Sequence, residues 1–283
     1  MFLANYLVSD SKTMTILDRI VDYKQTEELP RRMGEFPLEA VQARAAASPP
    51  PHDFVATLRS TPDLALIAEV KQASPSKGVL RPGFDPVQLA TTYAANGAAA
   101  ISVLTDEPFF QGNLAYLTDI RLHLASSKLS KPVPLLRKDF IIHPYQVHEA
   151  RAAGADALLL IAAVLPNVDL AELLSLSHLL GMTALVEVHD EEELMRVLPL
   201  GPKLVGVNNR NLHDFSVNLD TCVKLRHLVP QDICFVAESG IQTRADMKRL
   251  ADAGVDAALV GEALVTASDV GAKVQELIDG RER

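Results

Sequence analysis

The sequence predicts an α/β fold, a (βα)8 TIM barrel with an N-terminal helical extension, and three observations predict it. Roughly eight short apolar runs recur at intervals of about 20 to 35 residues, a spacing that suits strand-helix units and not hairpins. The runs are almost continuously apolar, as strands buried on both faces must be, which is the pattern of a parallel sheet. Glycines stand at the junctions Asn96-Gly97-Ala98, Ala153-Gly154-Ala155-Asp156 and Ala253-Gly254-Val255-Asp256, where a helix ends and turns into the next strand. An open doubly wound sheet is the structural rival, but no GxGxxG follows the first strand. Eight units close most economically as a barrel.

In chain order, residues 1–13 mix apolar and polar positions without the basic start and cleavage site of a secretory signal, and read as an extension that need not be ordered. From Met14, Ile16, Leu17, Ile20 and Val21 recur at helical spacing, with Asp18, Arg19, Lys24 and Gln25 on the other, polar side. A second helical patch covers Leu38 to Ala47, and Ser48-Pro49-Pro50-Pro51 breaks it. Residues 14–62 are therefore expected as a helical segment packed on a barrel spanning 63–283. Its strands are expected at Leu64–Ala68, Ala99–Val103, Val133–Leu136, Ala157–Ile161, Ala184–Val186, Leu204–Val207, Ile233–Val236 and Ala257–Val260.

Composition narrows the function. The 283 residues carry 27 Lys and Arg against 36 Asp and Glu, a formal charge of −9 with no long basic run, so no nucleic-acid partner is expected. At 48% hydrophobic and 22% charged residues the chain has the balance of a globular protein. No apolar stretch approaches the roughly 18 residues of a membrane span. Cys222 and Cys234 build no disulfide framework and read as core or helix residues, which suits a reducing cytoplasm. The eight histidines are scattered, with no HExxH, and His143 and His148 are awkwardly spaced for one helical face. No metal and no cofactor are expected.

In such a barrel chemistry sits where strands exit. Glu69 and Lys71 leave the first strand two residues apart, on one face and toward one cavity. The third exit is Arg137-Lys138-Asp139-Phe140, the fifth Glu187-Val188-His189-Asp190, the sixth Asn208-Asn209-Arg210 and the seventh Glu238-Ser239-Gly240. Any one of these charges reads equally as a structural ion pair. Lysines, glutamates and an asparagine converging from five strands are harder to explain that way, because buried charges cost energy unless paired or used. Glu238-Ser239-Gly240-Ile241 and Val260-Gly261-Glu262-Ala263 supply glycine turns leading into helices in the last two units, where exposed N–H groups attract phosphate. The stretch Ser74 to Gly83, with two prolines and two glycines, connects the first strand to the helix near Pro86, with Ser74 close enough to brace Lys71. Phe109, Phe110 and Phe140 follow the second and third strands and could wall the cavity. His189 reads as structural.

Three stretches, Ile67-Ala68-Glu69-Val70-Lys71-Gln72-Ala73-Ser74-Pro75-Ser76-Lys77-Gly78, Leu136-Arg137-Lys138-Asp139-Phe140-Ile141 and Leu185-Val186-Glu187-Val188-His189, resemble the indole-3-glycerol-phosphate synthase family. Gly206-Val207-Asn208-Asn209-Arg210-Asn211-Leu212, Ala237-Glu238-Ser239-Gly240-Ile241 and Leu259-Val260-Gly261-Glu262-Ala263-Leu264 continue the likeness. It runs from about Met14 to the end, and Ile16 to Val21 is similar to the extra helix that precedes the barrel in that family.

The resemblance implies ring closure of 1-(2-carboxyphenylamino)-1-deoxyribulose 5-phosphate to indole-3-glycerol phosphate, with loss of carbon dioxide and water, in tryptophan biosynthesis. It implies Lys138 as the acid of the condensation, Glu187 and Glu69 as candidate bases of the dehydration, and Asn208 as an orienting residue. Lys71 could bind phosphate, stabilise charge or serve as a second acid. Ser74, Phe110, Phe140, Arg210 and Glu238 are implied substrate or network contacts. Ser239, Gly240, Gly261 and Glu262 are implied phosphate contacts through backbone N–H, the Glu262 side chain turned away. The expected partner is the small phosphorylated anthranilate-sugar substrate, acted on by a monomer or weak homodimer. The rival enzyme is another phosphate-binding barrel such as phosphoribosylanthranilate isomerase, which would need a cysteine and aspartate pair. A non-catalytic barrel scaffold is the rival of another class, and the intact set of catalytic residue types speaks against it.

Overall fold

The computed structural model describes residues 14–75, 77–127, 129–211 and 216–279. The expected extension 1–13, and Ser76 and Leu212 of the sequence motifs, lie outside the described residues. Eight parallel strands close a barrel: β1 (Ala65–Val70), β2 (Ala100–Leu104), β3 (Leu135–Lys138), β4 (Ala157–Ile161), β5 (Thr183–Val188), β6 (Leu204–Asn208), β7 (Cys234–Glu238) and β8 (Ala257–Val260). Each pairs with the next, and β1 closes on β8 with Ala68 opposite Val260. Each apolar run is one of these strands, because side chains on one face fill the interior while those on the other meet helices. Gly97, Gly154 and Gly254 take φ of +100°, +89° and +79°, the left-handed conformation that ends a helix at no steric cost to glycine.

Before the barrel, α1 (Ile16–Tyr23) starts at a capping box in which Thr15 and Asp18 satisfy each other's backbone N–H groups. It runs through one π-helical turn, Lys24–Glu28, into α2 (Leu29–Glu35). Lys24 departs from its expected polar side. It is fully buried, because the π turn carries it inward onto Asp139 at 2.7 Å and Asp106 at 3.1 Å. α3 (Leu38–Ala47) matches the second helical patch. The Pro49–Pro51 break is followed by a helix that periodicity did not reveal, α4 (Phe54–Arg59), only six residues long and capped by Asp53. Its Phe54 and Leu58 are buried beside β1 and β2, and Arg59 reaches the Gln231 carbonyl and Asp256 near the starts of β7 and β8. This helix covers the end of the barrel opposite the strand exits.

The outer layer comprises α5 (Pro86–Ala95), α6 (Glu107–Phe110), α7 (Ala115–Ser126), α8 (Pro144–Ala152), α9 (Asn167–Leu179), α10 (Glu191–Val197), α11 (Asp220–Arg226) and α12 (Arg244–Asp252). α13 (Glu262–Val265) and α14 (Val270–Ile278) follow β8. α3 packs on α8, which ties the leading helices to the barrel beside β3. After β1 the chain makes a small antiparallel ribbon, Ala73–Ser74 against Gly78–Val79, above the strand exits.

Candidate active site

A cavity of about 560 Å³ opens at the strand exits, and period-two alternation decides which residues face it. Glu69 and Lys71, Lys138 and Phe140, Leu159 and Ile161, and Leu259 and Gly261 all line it. So do Glu187, Asn208, Arg210, Glu238, Ser239, Gly240 and Glu262. Arg137, one step before Lys138, turns outward into the helix layer, and so does the carboxylate of Asp139, although that residue also touches the cavity. Arg137 and Asp139, read as strand-exit charges beside Lys138, pair there with each other, with Glu149 and with Lys24.

Two ion-paired groups form the cavity floor. Lys138 Nζ donates to Glu187 Oε2 at 2.8 Å and to Glu238 Oε2 at 2.6 Å. Asn208 Nδ2 donates to the other oxygen of Glu187 at 3.2 Å. Lys71 Nζ and Glu69 Oε2 stand 2.5 Å apart. Both glycines on this floor make room for carboxylates. A Cβ at Gly206 would meet Glu238 Oε1, and one at Gly261 would meet Glu69 Oε2. Gly206 was quoted in a motif without a role; its small size lets Glu238 reach across to Lys138.

The electrostatics split the carboxylates. Burial works against the charged form of Lys138, but Glu187 and Glu238 outweigh it and raise the lysine above its ordinary range. Burial likewise opposes ionisation of Glu187, yet Lys138 and His189 hold its carboxyl well below the usual carboxylate range. Glu238 goes the other way, pushed up to about 7 by burial, with the Glu187 charge adding to the shift and Lys138 only partly offsetting it.

The aromatic wall is narrower than expected. Phe110 and Phe140 lie with ring centroids 6.0 Å apart and line the cavity. Phe109 turns away and packs edge-on against Tyr23 of α1, since it alternates with Phe110 on a one-turn helix. Ser74 lines the cavity but does not brace Lys71: its backbone pairs with Gly78 in the ribbon, and Glu69 is the lysine's partner. Across the mouth Lys77 of the ribbon forms an ion pair with Glu262, whose side chain is thereby drawn to the ribbon.

Ser239 and Gly240 hold φ of +64° and +81° in succession, an uncommon conformation for serine. Arg210 donates its backbone N–H to Asn208 Oδ1 at 3.1 Å, which holds the two exit residues together.

Two residues were missed. Asn209 is buried, donating to the carbonyls of Glu238 at 2.9 Å and Ser239 at 3.3 Å while accepting from Cys222 N–H at 3.1 Å. The signal was available, since of two consecutive strand asparagines one must face away from the cavity and find partners there. His189, read as structural, sits 3.4 Å from Glu187 Oε1, as its same-face spacing of two allowed.

Residues 17–277 match the model of the family described as indole-3-glycerol phosphate synthase. The indole-3-glycerol phosphate synthase of Roseiflexus sp. (strain RS-1) is 55% identical over 268 residues, covering 94% of this chain and 99% of that protein. That of Dehalococcoides mccartyi (strain BAV1) is 52% identical over 267 residues, covering 93% and 100%. Among solved structures, 3-hexulose-6-phosphate synthase from Salmonella typhimurium superposes with a TM-score of 0.61 at 13% identity, covering 76% of this chain and 96% of that one. Thiamine phosphate pyrophosphorylase from Pyrococcus furiosus superposes with a TM-score of 0.56 at 20% identity, covering 76% and 93%. These two share the fold alone.

Proposed function

The chain belongs to the indole-3-glycerol phosphate synthase family, and from that premise we propose how its barrel converts 1-(2-carboxyphenylamino)-1-deoxyribulose 5-phosphate to indole-3-glycerol phosphate. The observation that carries the proposal is the Lys138 ammonium held between two carboxylates on the cavity floor. The aromatic carbon bearing the carboxylate attacks the ketone carbon, and the ketone oxygen takes a proton from Lys138 as its π pair becomes a lone pair. The bond to the carboxylate then breaks, its electron pair returns to the ring, and carbon dioxide leaves. In the dehydration the new hydroxyl departs as water with a proton from Lys71, while Glu69 takes a proton from the carbon next to nitrogen. One proton from solvent balances the sum.

The pairing supports this division of labour. Glu187 is held ionised by Lys138 and His189, which makes it a weak base but a strong counter-ion for the condensing acid. Glu69, paired with Lys71 alone among the site lysines, is left for the dehydration. Asn208 orients Glu187, Glu238 shares the charge of Lys138, and Phe110 and Phe140 stack on the anthranilate ring. Ser239, Gly240, Gly261 and Glu262 bind the phosphate through backbone N–H groups, with Arg210 and Ser74 completing the substrate contacts. Residues 14–62 serve the barrel of 63–283 as a helical brace behind β3.

Turnover followed by indole fluorescence tests the roles. Lys138→Met is expected to lose at least about 100-fold in kcat. Glu69→Gln is expected to release carbon dioxide and accumulate the hydroxylated, decarboxylated ring, whereas Glu187→Gln slows carbon dioxide release itself. Fast indole formation by Lys138→Met would remove that residue from the role of acid.

A further inference from the structure

We propose that His189 is an imidazolium that positions Glu187 and sets the acidity of the Glu187–Lys138 pair. This deepens the reaction assignment above and rests on it. Both ring nitrogens face carboxylates: Nδ1 is hydrogen-bonded to Glu193 Oε2 at 3.2 Å, and Nε2 lies at ion-pair distance, 3.4 Å, from Glu187 Oε1 with no hydrogen-bond partner of its own among the described residues. A neutral imidazole that donates from Nδ1 to Glu193 would turn the Nε2 lone pair toward an ionised carboxylate, whereas the cation presents positive charge to both. The ring is nearly enclosed, its side chain 11% exposed, so water does not replace either partner.

The anchor behind it is rigid. The same Glu193 oxygen also accepts the His189 backbone N–H at 2.8 Å, and the Glu193 backbone N–H donates to Asp190 Oδ1 at 2.8 Å in the first turn of α10. The groups facing Glu187 are Lys138 from β3, Asn208 from β6 and His189, with Glu238 of β7 on the far side of Lys138. A line of alternating charge therefore runs from Glu193 through His189, Glu187 and Lys138 to Glu238. Burial favours neutral His189, but the two carboxylates outweigh it and lift the imidazole to about 10, in keeping with the geometry. In this line Glu187 divides its charge between two cations. Lys138 is then held less tightly than it would be by an unshared carboxylate, which favours release of its proton to the substrate.

Nitrogen-15 NMR of histidine-labelled protein at pH 8, with the signal assigned by its loss in His189→Gln, should show both ring nitrogens of His189 protonated. His189→Gln should lose about 10- to 100-fold in kcat with KM within about threefold. The acid limb of its kcat/KM profile should move to higher pH, because Glu187 has lost one of the cations that keep it ionised. Glu193→Gln, outside the cavity, should shift the His189 titration downward and give a milder form of the same kinetic change. A neutral His189 tautomer at pH 8, or a variant with unchanged kcat and an unmoved acid limb, overturns the proposal. A clear imidazolium in a wild-type protein that forms no indole would instead overturn the reaction assignment and leave the protonation assignment supported.

Discussion

A methyl group at position 261 would meet Glu69 Oε2 and stand 3.0 Å from Lys71 Nζ, although the backbone there, with φ of −116°, suits any residue. The glycine is therefore required by its neighbours and not by its own conformation. Gly261→Ala should fold normally yet lose on the order of 10- to 100-fold in kcat/KM as the Glu69–Lys71 pair is displaced. Circular dichroism and steady-state kinetics on the same preparation check both halves, and wild-type kinetics would show that the pair has room to yield. At this scale the sequence was legible wherever two site residues share one strand, as with Glu69 and Lys71, because the period of two is local. It was not legible for Gly206, whose constraint, Glu238, comes from the neighbouring strand, and for Asn209 it showed which way the residue faces but not its partners Glu238 and Ser239.

Element β3 has two faces with different tasks. Lys138 and Phe140 face the cavity, while Arg137 and Asp139 face a buried network. Arg137 pairs with Glu149 of α8 at 2.9 Å and donates to the Gln146 carbonyl at 2.9 Å. Asp139 accepts from Thr105 Oγ1 at 2.5 Å and from Lys24 at 2.7 Å. Arg32 of α2 extends the network to Glu28 at 3.1 Å and Glu149 at 2.9 Å. The π turn is what brings Lys24 into it, so the leading helices grip the strand that carries the proposed acid. Breaking one member of a buried charge network leaves others uncompensated, and Lys24→Met is expected to cost about 3–5 kcal/mol, measured by denaturant unfolding. Adding Asp139→Asn should recover part of that loss if the strain is the unpaired carboxylate. Strands were easy to read at this scale, because a double-sided apolar run leaves a local mark. α4 was not, since six residues carry too little periodicity and its identity lies in burying Phe54 and Leu58 against β1 and β2.

For the whole molecule the shifted groups define a pH window of stability. Asp139, Asp246 and Glu187 have folded carboxyls below their ordinary values of 3.8, 3.8 and 4.5, though burial opposes the shift in each. The unfolded chain binds more protons at these sites, so their contribution is complete above about pH 5 and is lost on acidification. His189 has the opposite sign: raised from 6.5 to about 10, it contributes fully below pH 6.5 and loses that contribution as pH rises toward 10. Glu238, raised from 4.5 to about 7 by burial, subtracts stability as pH climbs through that interval. Burial holds His143, His148 and His178 below 6.5, so their contribution is complete only above that pH, and thermal midpoints between pH 3 and 10 should therefore peak at about pH 6.5 and decline on both sides. A midpoint still rising from pH 7 to 9 would contradict the assigned sign for His189.

What the sequence determined by itself was the succession of eight strand-helix units, the glycines that end helices, and the identity of the residues at each strand exit. These depend on local periodicity and backbone conformation, which a stretch of ten or so residues encodes. The tertiary structure alone decided who meets whom: Lys138 lies between partners 49 and 100 residues away, and Lys24 beneath Asp139 more than a hundred residues from it. Barrel closure and strand register make those pairs, and the balance of burial, which raises both, against the neighbouring charges then sets opposite pKa shifts on Glu187 and Glu238, two glutamates of the same intrinsic chemistry.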